Sequence, residues 1–334
     1  MHENHVIDNK IFVLLRLILS LIMERTRVAI IDLGSNTFNL LITEVEDNSY
    51  RILVESKLPV KLGKGGINKA TITEEAMRRG IDALTNHLIK ISEYQVESIF
   101  CFATSTIRSA VNGNNFINRV KHELGLSIRV IPGDEEAEAV FDGVKQVVRI
   151  GSDPVLIMDI GGGSVEFIIA NKTGIFWKGS FNIGVSRLLE EFVISDIVRI
   201  SEIKTLENHF KNNLIPLFEA VKQFPIKRLI GSAGSFDTLV AMIAKANYPM
   251  LDLCKITTFH VELDLLKKIH DLLITTNSNG RRMMPGMDPD RVDNIVPASI
   301  MVQWILKEIA PSELIQSAFA LKEGAILQII KSEL

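Results

Sequence analysis

The chain of 334 residues lacks most of the signatures that announce a common chemistry. It has no G-x-x-x-x-G-K-S/T loop, no H-E-x-x-H, no C-x-x-C and no G-x-S-x-G. Nucleotide hydrolysis on a P-loop, zincin-type proteolysis, dithiol exchange and serine- or cysteine-nucleophile catalysis therefore have no support. Cysteine is scarce: Cys101 and Cys254 sit apart, in apolar surroundings and without metal-ligand spacing. That pattern predicts reduced, buried thiols in a cytoplasmic protein. The 7 histidines are scattered and show no metal spacing. Charge of one sign is missing too, since the net charge is −3. No global basic field exists to attract nucleic acid, and any polyanion must be held by local clusters of Lys, Arg, metal and backbone N–H. Finally, no apolar run is long enough to span a bilayer comfortably. Ile11–Met23 is apolar over only 13 residues and is interrupted by Arg16. It lacks the basic n-region and small-residue cleavage site of a signal peptide. Met23 reads as a natural start just before the first strand. Residues 1–22 are thus expected to be an upstream start-codon extension or a disordered leader, with no stable membrane association.

What the chain does have is 47% hydrophobic and 23% charged residues, enough for two globular domains with separate cores. Its most informative feature is a repeat. Ala29–Ile42 (AIIDLGSNTFNLLI) and Leu156–Ile169 (LIMDIGGGSVEFII) each read as a buried strand, an Asp-x-Gly, a small-residue turn and a second strand. Asp32 aligns with Asp159, about 127 residues later, and Gly34 aligns with Gly161. A tight Gly/Ser turn offers backbone N–H groups to an anion, and an Asp beside it can reach a metal ion or a water. Two such turns facing each other would hold a phosphate chain.

Between and after the hairpins the pattern alternates. A strand at Arg51–Glu55 leads to a Gly- and Lys-rich loop, Lys57–Gly66. A helix capped by Thr73 follows, then strand Glu97–Ala103, helix Phe116–Leu124 ended by Gly125, strand Ile128–Ile131, and a helix with Asp134 as N-cap. The second half continues with strand Phe176–Phe181 and helical patterns at Val185–Val193, Ser201–Val221, Glu262–Leu273, Pro289–Ile309 and Leu321–Ile330. Among them Arg228–Leu239 (RLIGSAGSFDTL) reads as a strand, turn and helix, in which Gly231 and Gly234 allow close backbone approach. The fold class is α/β in both halves.

Three segments carry candidate chemistry. IPGDEEAEAVFDGV (Ile131–Val144) places Glu135, Glu136 and Glu138 at the start of a helix, where a carboxylate can act as general base on water. The helix dipole alone would also favour acids there. FATSTIRSA (Phe102–Ala110) delivers Arg108 from a strand end, a position suited to a phosphate oxygen. The Gly231–Ser232–Gly234 turn is a plausible third wall of the cleft.

Taken in order, AIIDLGSNTFNLLI, KLGKG, FATSTIRSA, IPGDEEAEAVFDGV, LIMDIGGGSVEF and LIGSAG resemble the exopolyphosphatase and guanosine pentaphosphate phosphohydrolase family, in its short two-domain form. The likeness runs from about Val28 through Met283–Ala298 and Ala318–Ile326. It implies two ribonuclease-H-like domains of the actin, hexokinase and Hsp70 superfamily around a cleft. The expected domains are 23–142 with about 320–334, and 143–319, meeting near Asp142–Gly151. The resemblance further implies that Glu136 activates water, that Arg108 contacts phosphate, and that Asp159 ligates Mg2+ or positions water. Asp32 and Glu166 would support the metal. Gly34, Ser35, Asn36, Gly161, Gly162, Gly163 and Ser164, with Gly231, Ser232 and Gly234, would cradle phosphates. Thr37, Phe38 and Asn39 receive no role. Lys57, Lys61, Lys64, Arg281 and Arg282 could track a long chain. The implied cofactor is Mg2+, with Mn2+ as an alternative and K+ as a further option. The implied activity is exopolyphosphatase, or else pppGpp 5′-phosphohydrolase making ppGpp, in a cytoplasmic homodimer. An ATP-dependent kinase or a non-catalytic nucleotide sensor of the same superfamily are more distant readings.

Overall fold

The computed structural model describes residues 25–332. The expectation for residues 1–22 falls outside them. The first sheet holds β1 (Thr26–Leu33), β2 (Thr37–Glu46), β3 (Ser49–Pro59), β4 (Ser98–Ala103) and β5 (Ile128–Val130), in the order β3-β2-β1-β4-β5. β1, β2 and β3 form an antiparallel meander, while β4 and β5 add parallel to β1. The second sheet repeats this plan. β6 (Val155–Ile160), β7 (Val165–Asn171) and β8 (Gly174–Phe181) form the meander, and β9 (Arg228–Ser232) and β11 (Glu313–Ser317) add in parallel. One more strand, β10 (Thr258–Val261), pairs antiparallel with β11 at the edge. Each half is thus a ribonuclease-H-like domain. β6, antiparallel to β7 and parallel to β9, is buried along its whole length, as expected of a central strand covered on both faces.

Helices α1 (Glu74–Glu93), α2 (Ser105–Ser109), α3 (Gly113–Leu124) and α4 (Gly133–Val147) belong to the first half. The second half carries α5 (Val185–Glu191), α6 (Ile200–Asn213), α7 (Ile215–Gln223), α8 (Ala233–Asn247), α9 (Leu263–Thr275), α10 (Ser278–Arg282) and α11 (Ile295–Ile309), with α12 (Leu321–Ser332) following β11. α1 and α3 cover the outer face of the first sheet through Met77, Leu84, Phe116 and Val120. α4 and α12 lie between the two sheets. Their residues Val140, Val144, Ile326 and Ile329 share one apolar cluster with Val28 and Ile30 of β1 and Ile157 and Ile168 of the second sheet. The rest of the second half packs around Phe167, Phe210 and Trp304 on the far side.

The contact between α4 and α12 is unusually close because glycines face it. A Cβ on Gly143 would lie 2.0 Å from the Ala320 carbonyl oxygen, and one on Gly324 would lie 1.7 Å from that of Ala139. No side chain fits at either crossing point.

Several expectations are corrected. Asp134 is not an N-cap: the helix begins at Gly133 after an extended Pro132, whose carbonyl accepts from Glu136 N–H at 2.9 Å, so Asp134 lies in the first turn. The pattern at Ser201–Val221 is two helices separated by Leu214 alone, because Pro216 cannot continue an interior helical ladder and sits instead in the first turn of the second. Pro289–Arg291 is a single 3₁₀ turn ahead of α11. β3 is longer than expected, and β10, β11 and the short α2 went unread. Cys101 is buried, with its thiol pushed up to about 12 by desolvation, but Cys254 is exposed. Arg281 is buried and turned inward. Its Nη1 donates to the carbonyls of Asp196 and Thr276 at 2.7 and 2.6 Å, so it tracks no chain. Thr73 does cap α1, accepting from Ala76 N–H at 3.2 Å. No helix among the described residues is long and apolar enough to cross a membrane.

Gly324→Ala should force α12 away from α4 and lower stability by about 1–3 kcal/mol, the usual cost of overpacking. Urea denaturation of the two proteins reads this directly. Equal midpoints would mean that the helices are not held at the spacing described.

Candidate active site

The β1–β2 and β6–β7 turns are built alike. Gly34 N–H donates to the Thr37 carbonyl at 3.1 Å, and Gly161 N–H donates to that of Ser164 at 3.0 Å. In both, a Cβ would fall 2.9 Å from the accepting oxygen, so glycine is required twice for the same reason. The strand registers also match, with Asp32 opposite Asn39 and Asp159 opposite Glu166.

The two turns meet. A Cβ on Gly162 would lie 2.7 Å from Asn36 Nδ2, and one on Gly163 would lie 2.6 Å from Ser35 Oγ and 2.7 Å from Ser105 Oγ. Only bare backbone lets the loops approach this closely. Beside them opens a cleft of about 470 Å³. Asp32, Gly34, Ser35, Asn36, Glu136, Asp159, Gly161, Gly162, Gly163, Ser164 and Gly234 all line it.

Other expected residues stand behind the wall. Glu166 is buried and accepts from Ser180 Oγ at 2.7 Å. Ser232 reaches the cleft only through Asp159, donating from Oγ to Oδ2 at 2.7 Å. Gly231 is absent from the cleft: its missing side chain makes room for the Phe236 ring, 2.2 Å from where a Cβ would sit. Arg108 donates from Nη1 to Glu136 Oε2 at 2.7 Å and to the Ile131 carbonyl at 2.9 Å. Glu135 and Glu138 are engaged elsewhere, with Arg129 and Lys178.

The carboxylates crowd a poorly hydrated space. Burial raises the pKa of Asp32 to about 6, although Asn39 Nδ2 donates to it at 2.8 Å. Burial, followed by the charge of Glu166, raises Asp159 to about 7. Glu136 is raised well above the usual carboxylate range by burial and by Glu166, with Arg108 opposing both. Burial raises Glu166 as well. A divalent cation would relieve this repulsion. Among the described residues no three His, Cys, Asp or Glu form a ready-made metal cage. The acidic oxygen donors nonetheless fit Mg2+, which commonly takes one or two carboxylates and completes its shell with water and substrate phosphate. Asp159 and Asp32, which both line the cleft, could hold it.

Several residues of the site carried weaker signals. Thr106 Oγ1 donates to Ser35 Oγ at 2.6 Å, and the buried Ser105 Oγ has no hydrogen-bond partner among the described residues. The Thr/Ser-rich turn before Arg108 was their trace. Lys322 lines the cleft between Glu55, at 2.9 Å, and Glu323. Lys57 and Arg291 line the same cleft as Asp237, whose proton affinity burial raises and their charges lower. Nothing local in the chain pointed to Asp237, Arg291 or Lys322 as cleft residues.

Residues 41–333 match the Ppx/GppA phosphatase family. The chain belongs to it. A crystal structure of an exopolyphosphatase from Cytophaga hutchinsonii superposes with a TM-score of 0.89 at 37% identity, covering 92% of this chain and 98% of that one. A bifunctional 3-dehydroquinate synthase/phosphatase of Fusobacterium nucleatum is 33% identical over 91% of this chain and 47% of its own length. A guanosine-5′-triphosphate,3′-diphosphate pyrophosphatase of Photobacterium profundum is 30% identical over 75% of this chain and 51% of its own. The chain thus spans about half the length of these two curated relatives. In this Ppx/GppA family member both glycine turns and the buried Glu136 line one cleft.

Asp32 and Asp159 bind protons more tightly folded than unfolded, at about 6 and about 7 against 3.8. From about pH 4 to about pH 7 the folded state holds the extra protons, so stability falls as pH rises through that window. Protein stripped of divalent ions should melt lower at about pH 8 than at about pH 5, and Asp159→Asn should flatten the slope. Thermal melts of both proteins across pH decide it, and parallel slopes would refute the assignment.

Proposed function

We propose that this Ppx/GppA protein is an Mg2+-dependent exopolyphosphatase, hydrolysing the terminal phosphoanhydride of inorganic polyphosphate and releasing orthophosphate. The observation that carries this reading is the position of Glu136. Its carboxylate, of raised proton affinity, lines the same cleft as both phosphate turns. A carboxylate tuned upward by burial is suited to accept a proton from water near neutral pH. The N–H groups of Ser35, Asn36, Gly162, Gly163 and Ser164 would take the terminal phosphate oxygens. Glu136 would orient the attacking water and receive its proton as the anhydride bond breaks, while Arg108 holds the carboxylate in place. A bound Mg2+ would neutralise charge on the phosphate oxygens.

A second reading, hydrolysis of pppGpp, is favoured by one feature of the cleft. Val240, Leu253 and Ile256 give it an apolar wall, which suits a nucleoside and has no use for a bare polyphosphate chain.

Phosphate release from long-chain polyphosphate, pppGpp and ATP by purified protein with Mg2+ tests both. Glu136→Gln is expected to lower kcat about a hundred- to ten-thousand-fold with little change in KM. Preference for pppGpp would move the protein to the alarmone reading. Full turnover in the variant would remove Glu136 as base, and release from none of the three would favour a kinase or a sensor.

A further inference from the structure

The phosphate turn of the second domain is tied to the first domain through one side chain that does not line the cleft. α5 starts on that turn: Val185 N–H donates to the Gly161 carbonyl at 3.1 Å and Ser186 N–H to the Gly162 carbonyl at 2.8 Å. Gly184 permits this, since a Cβ there would lie 2.4 Å from the Gly162 oxygen. From the first turn of α5, Arg187 spreads its guanidinium over three acceptors. Nε donates to the Gly163 carbonyl at 2.8 Å, Nη1 to the Ile67 carbonyl at 3.0 Å and Nη2 to Ser109 Oγ at 2.8 Å. The first acceptor is in the second domain's phosphate turn. The other two belong to the first domain, and Ser109 directly follows Arg108 on α2.

Neighbouring contacts follow the same line. Ser186 Oγ donates to Asn36 Oδ1 in the first phosphate turn at 2.7 Å. Asn68 Nδ2 donates to the Arg187 carbonyl at 3.0 Å, and Gly65 N–H donates to Glu190. Arg187 is half-buried, and desolvation and the nearby Arg108 charge both disfavour a cation there. A guanidinium kept beside another guanidinium is held by its planar fork, which lysine cannot reproduce.

We propose that Arg187 is a positioning residue: it locks the Gly163–Ser164 peptide to the first domain, so that both phosphate turns are presented to a phosphate chain as one surface. The benefit to substrate rests on the phosphohydrolase reading, but the lock itself does not.

The test compares wild type, Arg187→Ala and Arg187→Lys by amide hydrogen exchange with mass spectrometry, and by calorimetric titration of tripolyphosphate without divalent ions, where it is not turned over. In Arg187→Ala, thermal melting should show an intact fold. Exchange should accelerate about tenfold or more in residues 63–70 of the first domain as well as in 161–164. Tripolyphosphate affinity should fall about 10- to 100-fold, the scale of losing charge-assisted hydrogen bonds. Arg187→Lys, which keeps the charge, should not recover it, whereas added guanidinium should restore part of the affinity to the alanine variant. Unchanged exchange in residues 63–70, or full recovery by lysine, would overturn the proposal. If wild type binds no tripolyphosphate and releases no phosphate, the functional reading fails, and the exchange measurement still decides the lock.

Discussion

Contact between two turns without side chains is the constraint on which this protein depends. Gly162 and Gly163 press against Ser35, Asn36 and Ser105 at distances that a single methyl group would abolish. Backbone N–H groups from both domains can therefore crowd one small volume. The sheets serve that end. Each meander ends its first strand at an Asp and turns on a Gly, and the parallel strands behind it are buried deeply enough to hold the turn still. The meeting of the turns also leaves little slack, because a shift of one sheet against the other changes every distance across the gap.

Closeness has an electrostatic cost. Asp32, Asp159, Glu136 and Glu166 share a space that is hard to hydrate, with Arg108 and Lys322 as the nearby cations among the influences on them. Burying four acids together, so that desolvation raises the proton affinity of each, is unfavourable as a structural device. It suits a site that is to draw in a cation and to keep one carboxylate ready to accept a proton near neutral pH. The internal repeat has diverged on this point. Asn39 stands opposite Asp32 where Glu166 stands opposite Asp159, so one turn carries a neutral partner and the other a charged one.

The parts that could be read from the chain are those whose cause is local. Asp-x-Gly between two apolar runs turns a hairpin in both copies here, and both were visible, as were the Thr73 cap and the Gly125 terminus. Glu136 and Arg108 were legible as chemistry, but their mutual ion pair was not, because it joins elements 28 residues apart. Strands β10 and β11 escaped for a different reason. TFHV and ELIQS are short, and neither shows a period that separates strand from loop. Asp237, Arg291, Lys322 and Arg187 acquire meaning only from what the tertiary fold brings to them. Gly231 shows the opposite error, since a glycine in a suggestive turn proved to be room for Phe236.

The placement of α12 has a consequence for how the molecule is made. This helix is sandwiched between the sheets and completes the inner face of the first one, yet it is reached only after every strand of the second. As the chain leaves the ribosome, β1 and β2 can pair early, but Val28, Ile30 and Leu41 wait for Ile326 and Ile329 to cover them. The first domain is thus unfinished until the second has been synthesised, and an apolar surface stays open in the meantime. Long sequence separation of this kind slows folding and exposes the nascent chain to misassociation.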